Sequence, residues 1–173
     1  MPSGKVHDKT TIVGAALAAP AFYFLTPAPT HPPGVIATLV VATLFSGMML
    51  SPDLDLDSAP YYRWGAFRYL WWPYQRLIPH RSPLSHSYLL GPLLRIAYFL
   101  FFAWAIFRAV TWALTFLMRF DRNMLSVRYT DAFLRFWRTH PHEFGACALG
   151  IFLGTALHVS ADLIVTRFKR RHR

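Results

Sequence analysis

Hydrophobic and polar positions along this chain fall into long blocks rather than alternating. Four apolar runs stand out, Thr11 to Leu25, Gly34 to Leu50, Tyr88 to Met118 and Phe144 to Val165, and polar, basic-aromatic or proline-rich stretches separate them. A helix crosses the hydrocarbon core of a bilayer in about 20 residues, with about 17 to 25 the usual range. The second and fourth runs qualify and the first is marginal. The third would reach about 46 Å at about 1.5 Å per residue and carries Arg95 and Arg108, so it should project beyond the lipid or bend near Gly91 and Pro92. The alternative is a soluble all-α domain with buried helices.

The intervening stretches refine this picture. TPAPTHPPG, between the first two runs, holds no Lys or Arg and predicts a tight hairpin between antiparallel helices, with His31 solvated. From Asp57 to Pro79 the chain interleaves Tyr61, Tyr62, Trp64, Trp71, Trp72 and Tyr74 with Arg63, Arg68 and Arg76. Such a mixture suits the head-group layer, where Trp and Tyr settle and Arg snorkels. It could also stack single-stranded nucleic acid, but the membranous flanks favour lipid. A second Arg-rich amphipathic stretch runs from Arg119 to Glu143, with His140 and His142 expected in a solvated loop. The fold class expected is therefore an all-α, multi-pass membrane helix bundle of about four spans with interfacial amphipathic segments. One membrane-embedded domain covers residues 1–173.

Composition agrees. Apolar residues make up 54% of the chain and aromatics 17%, above the roughly 45–50% apolar usage of ordinary soluble domains. A net charge of +10 suits an anionic partner, whether lipid head groups, nucleic acid or a phosphorylated substrate. The single cysteine, Cys147, excludes a disulfide framework and a cysteine-based zinc site, and reads as a small buried hydrophobe. The N-terminal MPSGKVHDKT is polar, so a removed signal peptide is not expected. If all four runs cross, both chain ends and the loop between the second and third spans share one side. Lys5, Lys9, Arg63, Arg68, Arg76, Arg81 and the tail RFKRRHR make that side cytoplasmic by the positive-inside rule, most simply at a bacterial inner membrane. Arg119, Arg122, Arg128, Arg135 and Arg138 fall on the other side and argue against it.

This topology gathers the ionisable residues. His7 and Asp8 precede the first helix, Asp53, Asp55 and Asp57 follow the second, His80 and His86 precede the third, and His158 and Asp162 lie near the end of the fourth. Side chains from separate helices meeting at one level of a bundle are a common way to build a metal site. His158 and Asp162, four apart, share a helix face inside an apolar span, where ionisable groups are expensive and usually functional. Asp53 and Asp55 would face the same side only in an extended segment wrapping an ion, while Asp57 could ligate, cap or stay in water. Imidazole and carboxylate ligands favour zinc, manganese or iron, and more than four candidates imply more than one divalent ion. Such a centre suits hydrolysis of a phosphoester, with Arg81 either neutralising phosphate charge or touching a lipid head group. An EF-hand beginning at Asp53 fails, because Ser58 and Trp64 stand where Gly and Glu are needed. A D-x-D transferase motif leaves the histidines unexplained. No G-x-S-x-G elbow is present.

Taken together, SGKVHD, SPDLDLDS, HRSPLSHS and LHVSADL resemble the LexA-regulated, membrane-bound metal-dependent hydrolase family and its uncharacterised metal-binding membrane relatives. YYRWG and WWPYQRLIPHRS look closest to those relatives. The resemblance implies a metal set of His7, Asp53, Asp55, His80, His86, His158 and Asp162. The spacing of His80 and His86 is one residue wider than in the hydrolases. His7 or Asp8 is then a further ligand or the general base. The rival reading is a non-catalytic protein that stores or senses metal, and a nucleic-acid binder ranks third.

Overall fold

The computed structural model describes residues 4–27, 32–80, 82–118 and 122–171. Among these residues every regular element is helical, as expected of an all-α chain. In chain order they are α1 (Gly4–Leu25), α2 (Pro33–Met48), α3 (Ala59–Arg63), α4 (Trp72–Leu77), α5 (Pro83–His86), α6 (Leu90–Met118), α7 (Arg122–Thr139) and α8 (Pro141–Arg171). Two 3₁₀ segments, Pro52–Asp55 and Gly65–Trp71, join α2 to α3 and α3 to α4. Among the described residues three stretches are long and apolar enough to cross a membrane: Pro33–Asp55, Leu90–Met118 and Pro141–Phe168. The marginal first run, now part of α1, is not among them.

Two local outcomes differ from the sequence reading. α1 begins at Gly4, so His7 and Asp8 lie inside the helix rather than before it. Nothing between Lys5 and Thr10 breaks a helix, and the polar block simply continues the apolar one. α6 runs unbroken, because Gly91 and Pro92 fall in its first turn, where a missing N–H costs no helical hydrogen bond. Its 29 residues extend about 43 Å. α7 turns back along it, bringing Tyr129 edge-on to Phe107 with ring centroids 5.3 Å apart. His140 sits at the junction of α7 and α8, and His142 is exposed in the first turn of α8. His31, expected in solvent, lies outside the described residues.

The bundle is organised around α2 and α8. A methyl group placed on Gly150 would come 2.6 Å from the Leu39 carbonyl oxygen, and one on Gly154 would come 2.6 Å from that of Thr43. Only bare backbone lets the helices approach so closely, which is the small-residue logic of helix pairs in membranes. Ser46 adds a hydrogen bond across the contact, its hydroxyl donating to the Ile151 carbonyl at 2.6 Å. α1 lies against both, with Thr11 over Gly47 and Gly14 under Leu157. The aromatic segment after α2 divides: Tyr61, Trp71 and Tyr74 turn inward onto Leu50 and Leu54, while Tyr62, Phe67, Tyr69 and Trp72 stay exposed. Arg63 Nη1 and Trp64 Nε1 donate to the carbonyls of Met48 and Met49, both at 2.9 Å. Carbonyls at the end of α2 that lack helical partners are thereby satisfied.

Candidate metal centre

At one end of the bundle four pieces of chain converge. α1 supplies His7 and the 3₁₀ turn after α2 supplies Asp53. The segment around α5 supplies His80 and His86, and α8 supplies His158 and Asp162. His158 Nε2 lies 3.6 Å from both Asp53 Oδ1 and Asp162 Oδ2. His86 Nε2 lies 4.0 Å from Asp53 Oδ1 and 3.8 Å from Asp162 Oδ2. His7 Nε2 is 3.4 Å from Asp162 Oδ1, and its ring stacks on that of His158 with centroids 3.8 Å apart. Six of the seven expected ligands thus enter three overlapping groups: His7 with Asp53 and His158, Asp53 with His80 and His86, and His86 with His158 and Asp162. Within each group the donor atoms lie within 4.8 Å of one another.

These residues fit a metal ion on two grounds. Asp53 Oδ1, His86 Nε2, His158 Nε2 and Asp162 Oδ1 are buried without a hydrogen-bond partner, and leaving such groups unpaired costs roughly 1–3 kcal/mol each. His86 Nε2 and His158 Nε2 stand 3.6 to 4.0 Å from Asp53 Oδ1 and Asp162 Oδ2, longer than hydrogen bonds. Those distances approach the edge of a coordination tetrahedron, about 3.4 Å for bonds of about 2.1 Å.

Behind the donors lies a layer of hydrogen bonds that aims them. His80 Nδ1 meets Asp55 Oδ1 at 2.8 Å, His86 Nδ1 meets Ser85 Oγ at 3.0 Å, and His158 Nδ1 meets Ser51 Oγ at 3.2 Å. With Nδ1 occupied, each ring keeps Nε2 for the centre, as metal-binding histidines commonly do. Burial pushes the His86 imidazole below its ordinary value, which favours the neutral form that can ligate. Arg95 is fully buried and donates to the Ser85 carbonyl at 2.8 Å and to Thr155 Oγ1 at 3.1 Å.

Asp55 departs from its expected place. In a 3₁₀ turn, residues two apart point about 240° apart, so Asp53 and Asp55 face different neighbours and not the shared side of an extended loop. Ser51 caps that turn by accepting the Asp53 N–H at 3.3 Å, and Pro52 starts it. Asp55 has one carboxylate oxygen against His80 and the other taken by the Ser85 hydroxyl. Asp8 points to Arg63, with a carboxylate–guanidinium contact of 2.5 Å, and is absent from the three groups. Asp57 is exposed. Arg81 lies outside the described residues. Cys147 is half-buried on a groove between α2, α6 and α8, away from the centre. Ser51 and Ser85 carry no sequence signal for these roles, and Arg95 stands out in the sequence only as a cation within the third apolar run. An arginine one turn into an apolar helix was the available signal.

No curated protein and no solved structure matches the chain. A model of the family described as "Uncharacterized metal-binding protein (DUF2227)" matches residues 2–172, nearly the whole sequence and every member of the His and Asp cluster. By that match, this chain belongs to the DUF2227 family of metal-binding proteins.

Proposed function

We propose that this protein is a multi-pass membrane protein whose single domain hydrolyses a phosphoester at a divalent-metal centre on the cytoplasmic face. The observation that carries this reading is the cluster of unpaired imidazole and carboxylate donors with part of its surface open: the side chains of Asp53 and His80 are 20% and 24% exposed, against 1% for His158. A purely structural zinc site is closed on all sides, whereas a catalytic one keeps a position for water or substrate. His7, Asp53, His80, His86, His158 and Asp162 would hold the metal. Two of the three donor groups share Asp53, which supports a centre for more than one ion. Bound there, divalent zinc, manganese or iron would acidify a water and polarise phosphate oxygens.

The protein's own residues supply binding and orientation. His80, His86 and His158 present Nε2 because their other nitrogens are held from behind. The basic aromatic segment beside the site, with Arg68 over Tyr62 and Tyr69 and Arg76 over Trp72, suits an anionic lipid head group. Arg81 is the further cation assigned to the phosphate. This reading includes α1 as a fourth span, cytoplasmic termini, a bacterial inner membrane and kinship with the LexA-regulated hydrolases. A non-catalytic store or sensor of metal is favoured by one observation: Asp8, the expected general base, is held by Arg63. Elemental analysis of detergent-solubilised protein, wild type against Asp53→Ala combined with His158→Ala, tests the centre. Metal bound by the wild type and lost from the variant is expected. Turnover of a phosphodiester panel by the loaded wild type then separates hydrolase from sensor, and no turnover on any member would reject the hydrolase.

A further inference from the structure

Asp55 is buried behind the donor atoms rather than among them, and both of its oxygens are used. A carboxylate oxygen only accepts, so the 2.8 Å contact requires His80 Nδ1 to carry the hydrogen. The single hydrogen of Ser85 Oγ goes to Asp55 Oδ2, its shortest contact, in preference to the Pro52 carbonyl at 3.3 Å. Ser85 Oγ must therefore accept from His86 Nδ1. Arg95 holds the carbonyl of the same Ser85 and ties it to Thr155, one turn before His158.

We propose that Asp55 and Ser85 form a positioning relay in which one buried carboxylate sets the tautomer of two histidines at once, His80 directly and His86 through the serine hydroxyl. Asp55 then never touches the ion. Its charge is spent on turning two Nε2 lone pairs toward the centre, while Arg95 fixes the serine that carries the effect to His86. The inference rests on the metal reading above for its purpose, but the tautomers it requires belong to the metal-free protein.

The test uses the full chain in detergent. Nitrogen-15 spectra of the metal-free wild type should show neutral His80 and His86 protonated at Nδ1. Asp55→Asn, whose amide keeps one acceptor and gains one donor, should lose that preference at one or both histidines, and Ser85→Ala should lose it at His86 alone. Titration with cobalt(II) against a chelator should give Asp55→Asn an affinity about 10- to 100-fold weaker, with the visible band shape of the bound ion retained. Should Asp55→Asn fail to fold, Ser85→Ala carries the test at His86. An Nε2–H tautomer at His80 in the wild type overturns the relay. So does an Asp55→Asn protein that loses an ion or changes band shape as Asp53→Ala does, or one whose tautomers and affinity match the wild type. A wild type that takes up no cobalt sinks the metal reading, and the tautomer spectra still decide the relay.

Discussion

The two ends of α6 live in different surroundings. Near its start Arg95 is fully buried, with its guanidinium shared between Ser85 and Thr155. Further along the same helix Arg108 is exposed, among the outward-facing Trp104, Val110 and Trp112. α7 continues that second region with Tyr129, Phe133, Phe136 and Trp137 all exposed. At the first end several elements crowd together, and the polar groups turn inward onto one another or onto the unpaired donors of the centre. At the second, a pair of helices offers few neighbours and the same residue types face outward. An ionisable side chain is informative about function only where the packing gives it no other outlet.

Substitutions paired across these two regions sharpen the contrast. The largest effect is expected from His158→Ala, which should strip bound metal measured by elemental analysis, whereas His142→Ala, on the exposed first turn of α8, should leave the content unchanged. Arg95→Met comes next. It leaves the Ser85 carbonyl without its donor, so the protein should lose roughly 1–3 kcal/mol, read as a lower melting temperature in detergent. Arg108→Met should stay within about 0.5 kcal/mol of wild type. Equal effects from the two arginines would break the comparison. A third pair concerns glycines of α8. Gly154→Ala forces a methyl against the Thr43 carbonyl and should cost about 1–3 kcal/mol. Gly145→Ala meets nothing within 4 Å and should stabilise by up to about 1 kcal/mol through helix propensity. The smallest effect is assigned to Asp8→Asn. Its partner Arg63 is part-exposed, so less than about 1 kcal/mol should be lost.

Much of this arrangement was legible before any coordinates. The apolar runs located the long helices because uninterrupted hydrophobicity of that length has few other homes, and antiparallel connection then placed His7, Asp53, His86, His158 and Asp162 at one level. What escaped were effects decided within a single turn. Asp53 and Asp55 read as a pair, yet the Ser51–Pro52 start winds them into a 3₁₀ turn that sends them to different partners. Tyr61, Trp71 and Tyr74 carry the same aromatic label as Tyr62, Tyr69 and Trp72, and only the turn at Gly65, with φ of +55°, and the packing on Leu50 and Leu54 sort one set inward. Ser85 has no sequence signature, because its importance comes from two side chains that reach it from residues 55 and 86. The fold-back of α7 onto Phe107 depends on a ring contact that no periodicity announces.

The donors of the centre are drawn from positions 7, 53, 80, 86, 158 and 162, nearly the full span of the polypeptide. During synthesis, most of those groups emerge long before α8 follows, so the site stays incomplete until the final helix has docked on its glycines. Loading with metal therefore reports on completed biogenesis, and a product cut short ahead of Leu157 would display most of the histidines without the residues that close the cage around an ion.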